Sequence, residues 1–452
     1  MITPSPAFAA ANLAMVKNPI HIIEIEGYSR VFTNKPTGIS GQFPWIVSIG
    51  DLSITVSDMD GGADLGDLSF NVQDRDQAIT GDFPGFTFEG KRVLLRTGFV
   101  GMDQADFVTL FTGLVNTVSS DNANAEYTFD CVDIRQELTK VVYVTADDGA
   151  ATDSDHPRTL NGHPLDILIS LLENEIGLAP TDIDLAKIQT FRDGVYSGMH
   201  FQFTITSPPA AKDFIENELM KPLGAYIWPN NEGRISVNFF YPQAQAPVLT
   251  LTRDNLTSIP LTEQAELINT VHFRFDQNAD GKFLGDTVQG FAPSIATYGD
   301  SPEHVIESAG MRSAFQGFFI AALTSRLIFL RYGNKTLQIG GNNEVDALWD
   351  ACIVEPGDQV LITHPQVPDR KAGVMGITEH VFEQMDRVYH FDSATVGLKL
   401  LDLSGSTFKT YYIAPDCEPD FTAASDADKA HYMFQSNDAD QYSDSSPANT
   451  LA

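Results

Sequence analysis

Apolar and polar positions alternate most regularly between Phe86 and Leu138. Phe86-Thr87-Phe88-Glu89-Gly90-Lys91-Arg92-Val93-Leu94-Leu95-Arg96-Thr97-Gly98 is followed by Asp106 to Val118 and then by Ala125 to Asp133. Each run is rich in β-branched and aromatic residues and is closed by Gly, Asp or Asn, the pattern of consecutive antiparallel strands joined by short turns. Asp133 is placed to cap one helical turn, Ile134 to Leu138. A similar layout returns later: Glu355-Pro356-Gly357-Asp358-Gln359-Val360-Leu361-Ile362, then Gly373 to Ile377, then Arg387 to Phe391. The landmarks Gly90, Gly113 and Phe129 of the first copy match Gly357, Gly373 and Phe391 of the second. Residue identity between the copies is low, so the repeat is one of pattern, and it predicts two related β domains in one chain.

The remaining pattern divides the chain into four parts. In residues 1–150, Ser5-Pro6 predicts a short N-terminal helix, and His21 to Glu26, Leu52 to Val56 and Leu68 to Val72 predict further strands of the first β domain. Asp147 to Arg158 is a polar linker. Residues 151–246 read as an α+β module. Pro164 to Ile176 places Leu165, Leu168, Ile169, Leu172 and Ile176 on one helical face, with Gly177 as the stop. A second helix after Ser207-Pro208-Pro209 turns Phe214, Ile215 and Leu219 inward, and a hairpin joins Ala225–Trp228 to Arg234–Phe240. Residues 247–410 form the second β domain, interrupted by a helix predicted from Ser308 to Tyr332 with Met311, Phe315, Phe318, Phe319, Ala322 and Leu323 as its buried stripe. Residues 411–452 are a polar, acidic C-terminal segment, expected to be weakly held in the lone chain. The fold class is therefore mainly β with α+β parts.

Length changes this picture little, since 452 residues suit two to four domains. Charge changes it more: 60 acidic against 28 basic residues give a net charge of −32. The last 49 residues hold eight acids and two bases, net −6, so the other −26 belongs to the body. Such a surface repels phosphate and argues against nucleic-acid binding. Cys131, Cys352 and Cys417 are too scattered for a disulfide framework or a zinc site. The longest apolar stretch, Gly317 to Leu330, is broken by Thr324-Ser325-Arg326 and is short of a membrane span.

Candidate chemistry is sparse. Asp276, Asn278, Asp280 and Gly281 match half of a calcium-binding loop, but Thr287 stands where a bidentate Glu should be, and a hairpin turn explains the same residues. Asp153, Asp155, His156 and His163 form a His/Asp cluster without metal-ligand spacing. His364 and His390 read as structural. No HExxH, G-x-S-x-G, Walker or Rossmann pattern occurs. The sequence singles out no catalytic, cofactor-binding or metal-binding residue set, and the chain reads as a non-enzyme.

Glu89-Gly90-Lys91-Arg92-Val93 with Phe107 to Val118, then Leu223-Gly224-Ala225-Tyr226-Ile227-Trp228 with Glu232-Gly233-Arg234-Ile235, then Glu355-Pro356-Gly357-Asp358, resembles in order and pattern the tail hub proteins of tailed bacteriophages. These are baseplate-hub or tail-tip proteins, related to the hub part of type VI secretion spikes. The resemblance spans roughly residues 20–403 and has no invariant motif. It implies two tail-tube-like β-barrel domains per chain and a homotrimer that joins a sixfold tube to a threefold tip. It also implies a virion location at the tail tip after synthesis in the host bacterial cytoplasm. The implied partners are tail tube or distal tail protein, tape measure protein, and tip or fibre proteins, with genomic DNA passing through the channel without specific binding. Some relatives carry an iron–sulfur cluster or a fused hydrolase; this chain lacks a four-cysteine set and an evident extra enzymatic domain, so neither carries over. The alternatives are a tail-associated cell-wall or glycan-degrading enzyme, or a glycan-binding adhesin.

Overall fold

The computed structural model describes residues 4–12, 18–56, 66–121, 123–230, 234–240, 247–257, 259–263, 267–278, 281–335, 337–340, 345–369, 372–403, 412–413 and 432–433. Ser5 caps helix α1 (Pro6–Asn12) by accepting a bond from the Phe8 amide at 3.1 Å. The strands that follow are β1 (Pro19–Ile25), β2 (Val31–Thr33), β3 (Gln42–Phe43), β4 (Ile46–Ile49), β5 (Leu52–Thr55) and β6 (Leu68–Gln73). Helix α2 (Ala78–Asp82) leads to β7 (Arg92–Phe99), β8 (Val108–Asp121) and β9 (Glu126–Asp133). Eight of these strands form one sheet in the order β3-β2-β1-β7-β8-β9-β6-β4. Its inward side chains alternate along β6, where Leu68, Phe70 and Val72 are buried, as a half-buried strand requires. Phe129 on β9 stacks on Phe70 with ring centroids 5.0 Å apart and meets Phe88 edge-on at 5.3 Å.

β5 does not join this sheet. It pairs antiparallel with a strand more than 300 residues later, Arg387 lying opposite Ile54. The stretch read as part of the first β domain thus contributes a strand to the second large sheet. α1 makes a similar crossing: Asn12 donates its side-chain amide to the Asp350 carbonyl at 3.0 Å.

The middle of the chain holds β10 (Arg158–Gly162), α3 (Pro164–Ser170), α4 (Leu185–Asp193), β11 (Phe201–Ile205), α5 (Ala211–Asp213), β12 (Ala225–Pro229) and β13 (Ile235–Phe239). α3 and α5 both continue as wider π turns, over Leu171–Ile176 and Phe214–Met220. Leu171 lies in the core beside Leu165, Leu168, Leu172 and Ile176, one turn on from the buried Ile167 and Leu168, while Ile169 stays at the margin. Gly177 ends that helix in the left-handed region, and Phe214, Ile215 and Leu219 are buried as their spacing predicts.

The last region contains β14 (Leu249–Thr252), β15 (Leu261–Glu263), β16 (Thr270–Gln277), β17 (Phe283–Gly290), α6 (Ala292–Tyr298), β18 (His304–Ser308) and α7 (Ala314–Tyr332). Then come β19 (Leu337–Ile339), β20 (Val345–Leu348), β21 (Gln359–Asp369), β22 (Val374–His390) and β23 (Thr395–Asp402). The second eight-stranded sheet runs β14-β21-β22-β23-β19-β15, with β20 on β23 and β5 on β22. A separate three-stranded sheet, β17-β16-β18, packs on α7. Of the acidic C-terminal segment, the described part is two short strands in parallel, β24 (Tyr412–Ile413) and β25 (Tyr432–Met433).

α7 departs from the sequence reading in start and in face. Residues 304–308 are strand, so the helix begins at Ala314, and Met311 lies before it, bridged to Phe201. Gly317, Ile320, Ala321, Thr324, Leu327 and Ile328 are buried, whereas Phe315, Phe318, Phe319 and Ala322 are exposed. Phe275 of β16 packs so closely that a Cβ on Gly317 would come within 2.7 Å of its ring. Only the small-residue face admits that ring, so the phenylalanines are turned outward.

Candidate functional site

The two large sheets are built around one repeated backbone device. In the first, Lys91 donates to the Phe88 carbonyl at 3.0 Å, which closes a tight turn with Gly90 at φ +76. The Gly90 amide donates to the Val115 carbonyl at 2.8 Å and the Val115 amide to the Lys91 carbonyl at 2.9 Å. In the second, Asp358 donates to Glu355 at 2.9 Å, Gly357 sits at φ +86, its amide donates to Gln384 at 2.8 Å, and the Gln384 amide donates to Asp358 at 2.9 Å. Glycine suits both turns because it takes positive φ without a Cβ clash. A bulge follows at the same place in each: Val115 pairs with Cys131 and Thr117 with Asp130, while Gln384 pairs with Leu400 and Asp386 with Lys399. The meanders β7-β8-β9 and β21-β22-β23 thus share a turn, a register and a bulge.

This register corrects two of the three sequence landmarks. Gly90 and Gly357 are equivalent. Gly113 lies two residues before Val115 and so matches Phe382, whereas Gly373 is in the β21–β22 turn. Phe129 matches Leu398, whereas Phe391 lies just past β22. The two hairpins differ in length, so landmarks matched by pattern alone fall at different places in the ladder.

Trp228 of β12 sits where three regions meet. The Arg135 guanidinium, next to the end of β9, lies 5.3 Å from its ring, and that of Arg387 on β22 lies 6.0 Å away. Arg135 is buried and held by Asp133, Nη2 to Oδ2 at 3.1 Å. Arg387 donates to the Val354 carbonyl at 2.9 Å and also faces the Tyr389 ring at 4.7 Å. A second buried pair ties α7 to the second sheet: Arg331 Nε and Nη2 reach Glu383 at 2.6 and 2.5 Å, and the guanidinium covers Phe240 at 4.8 Å. Sequence reasoning missed these joints. Their signal, a Trp and three Arg in apolar runs, becomes specific only when distant strands are brought together.

The residues singled out for chemistry are dispersed. His163 caps α3, its Nδ1 accepting from the Leu165 amide at 3.1 Å and its Nε2 meeting the Tyr196 carbonyl at 2.9 Å. Asp153 accepts from the amides of Asp155 and His156, both at 2.8 Å, and the His156 ring pairs with Asp148. Gln277 pairs with Phe283, Asn278 accepts from the Lys282 amide at 2.9 Å, and Thr287 pairs with Phe273, which makes this segment the β16–β17 hairpin. Asp280 lies outside the described residues, as does Cys417. Among the described residues no group of three or more His, Cys, Asp or Glu is placed to hold a metal ion. His364 accepts from the Gln366 amide, and His390 pairs with Asp51 at 3.0 Å. Cys131 and Cys352 are buried thiols, and burial pushes Cys131 up to about 12. His21 is buried between the Trp349 and Phe391 rings, at 5.4 and 5.1 Å, and burial drives it down to about 3.

No protein-family model and no curated protein sequence matches the chain. Solved structures similar to it include a tail protein from Neisseria meningitidis MC58 (12% identity, 85% of this chain and 96% of that one, TM-score 0.47). The 43 kDa tail protein of prophage MuSo2 from Shewanella oneidensis is 10% identical over 85% of this chain and 98% of that one, with a TM-score of 0.49. Prophage tail protein gp18 from Listeria monocytogenes EGD-e is 10% identical over 85% and 95%, with a TM-score of 0.45. At these values the likeness is one of broad arrangement and assigns no activity.

Proposed function

We propose that this chain is a structural protein of a phage tail, the central hub of a tail tip or baseplate. In this reading each chain supplies two tube-like β-barrel units, and three chains close into a ring that presents six units to a sixfold tube and three copies of the rest to a threefold tip. The observation that carries the reading is the repeated turn, register and bulge at Gly90/Val115 and Gly357/Gln384. A shared irregularity in two sheets of low sequence identity is what a duplicated unit leaves behind, since bulges re-aim strands in a way that a fold must keep. Closure into a ring requires heterologous contacts, the first unit of one chain against the second of its neighbour. The net charge of −32 suits a channel through which DNA slides without sticking. Tube or distal tail protein, tape measure protein and tip or fibre proteins are the partners of such a ring.

Electron microscopy of the assembled particle is the direct test. The expected image is a threefold ring with pseudo-sixfold density at one end and a channel wall that is negative or neutral. A twofold dimer in the particle, or a channel wall dominated by Lys and Arg, would sink the hub. Clearing of cell wall or glycan by the purified chain would favour an enzyme, and binding of the free chain to cells an adhesin.

A further inference from the structure

A cavity of about 400 Å³ lies at the edge of the second sheet, between the end of β14, the segment that leads on to β15, and β21. β14 and β21 run parallel with Thr252 opposite Thr363, so Arg253 and His364 follow at the same level. The β21–β22 ladder shifts register on both sides of His364, the kind of irregularity that re-aims a side chain. The His364 ring is buried, 4% exposed, and its Nδ1 accepts from the Gln366 amide at 3.2 Å. That bond fixes the proton on Nε2, because a neutral imidazole donates from one nitrogen and accepts at the other. Burial, and after it the Arg253 charge, hold the ring below its usual value, which keeps it uncharged. Among the described residues Nε2 has no partner. The same holds for the Arg253 guanidinium and the Gln366 side-chain amide, which line the cavity with it.

We infer that this cavity binds a small organic anion, its carboxylate or phosphate group held by Arg253, the His364 Nε2–H and Gln366. Charge carries the assignment. The chain has 60 acidic against 28 basic residues, yet no Asp or Glu lines the cavity, Asp254 next to Arg253 included. Unpartnered donors gather there, and a buried donor without an acceptor is costly. The fork of a guanidinium matches a carboxylate or a phosphate through two parallel bonds. Leu256, Ile259 and Val367 supply an apolar wall, so the bound group carries a carbon skeleton as well as a charge. A few polar groups set in an apolar wall, at this volume, are the make-up of a small-molecule site. Nucleic acid is a poorer occupant, because a single Arg stands here on a chain of net charge −32, which repels a polyanion while admitting one small charge. The site lies within one chain and does not depend on the ring reading above.

The test titrates the full chain with benzoate, phenylphosphate, inorganic phosphate and benzyl alcohol, by calorimetry and by the ring proton–nitrogen correlation spectrum of His364. Benzoate or phenylphosphate is expected to saturate, more weakly at high salt, and to shift the His364 Nε2–H signal. The tighter of the two names the head group. Arg253→Gln is expected to weaken binding at least about tenfold, since the charge-assisted pair is lost, with an unchanged thermal melt because Arg253 is exposed. Arg75→Gln, which removes a surface cation elsewhere, is expected to leave binding as it was. No saturation by either organic anion overturns the inference, as does equal affinity for benzyl alcohol or an Arg253→Gln variant that binds as the wild type does. Inorganic phosphate bound as tightly as phenylphosphate would overturn the organic part of the assignment.

Discussion

In the first sheet Phe70 lies flat on Phe129, with Phe32 and Phe88 beside them. In the second sheet Glu383 and Gln384 on the middle strand, at the places of Leu114 and Val115 in the first, are both buried, with Arg331 reaching in from α7 and Arg387 three residues on. The backbone device is common to both, and the material around it is not. Rings fill space without directional demands and need only shape. Buried ions need named partners, because desolvation of an unpaired charge is severe. One backbone unit can therefore be stabilised by two unrelated chemistries, which is why the repeat shows in pattern and hardly in identity.

The sharpest way to break the comparison is to remove one ion from the second sheet. Arg331→Met leaves Glu383 buried without its bidentate partner. A loss of about 3–5 kcal/mol is expected by urea or thermal unfolding. The double change Arg331→Met with Glu383→Met should recover most of it, since both charges are then gone. A first-sheet change of similar volume, Phe129→Leu, has no compensating second substitution of this kind. If the Met pair recovered nothing, the charge account of the second core would be wrong.

His21 lies at the seam between the sheets, on β1 but packed on Trp349 and Phe391. Among the described residues neither ring nitrogen has a hydrogen-bond partner. Burial lowers its folded value from 6.5 to about 3, so the unfolded chain takes up the proton first. Its share of stability is complete above 6.5 and is lost as pH falls toward 3. At pH 4 the loss is on the order of 3 kcal/mol. His21→Phe, which keeps an aromatic ring, should flatten this acid limb while changing little at pH 8. An unaltered acid limb would show that the seam opens for another reason.

The equivalent turn positions Lys91 and Asp358 offer a smaller contrast of the same kind. Burial, with Glu355 close by, raises Asp358 from 3.8 to about 6, and its carboxylate accepts from the Glu355 amide at 3.0 Å. The folded state holds this proton longer than the unfolded one, so stability is full below about 4 and declines as pH rises to about 6. Asp358→Asn keeps an oxygen acceptor and removes the titration. A melt series from pH 3.5 to pH 7 should lose on the order of 2 kcal/mol of its decline. The corresponding change at Lys91 should leave the series as it was.

Much of the fold was legible where local chemistry decides it. Ser5-Pro6 starts α1, Asp133 caps the turn after β9 by accepting from the Arg135 amide, and Gly90 and Gly357 mark the repeat. Three things were not legible. β5 alternates like any strand, and nothing local says that its partner is β22. α7 has apolar residues on both faces, and the close approach of Phe275 to Gly317 decides which face is inside. The joint at Trp228 exists only once β9, β12 and β22 are side by side. The readings against a metal site at His163 and at Asn278 rested on ligand spacing; the caps and turns that occupy these side chains needed the structure.

The smallest expected effect tests the repeat itself. Gly90 and Gly357 share a positive φ, so an Ala at either position strains the backbone by about 1–2 kcal/mol. Their surroundings differ. A Cβ on Gly90 meets nothing within 4 Å, whereas one on Gly357 comes within 2.4 Å of the Tyr226 hydroxyl. That hydroxyl donates to the Pro356 carbonyl at 2.9 Å and is buried, so it cannot move aside without leaving the bond. Gly357→Ala should therefore cost about 1 kcal/mol more than Gly90→Ala, the worth of one buried hydrogen bond. Unfolding of the two single variants and the double variant measures both the strain that they share and the difference. Near-zero strain at either glycine would mean that the turn can be made another way, and the shared device would lose its claim to mark a duplicated unit. Equal losses at the two positions would instead place Tyr226 outside the grip of the second turn, leaving the backbone repeat intact but detaching the middle module from it.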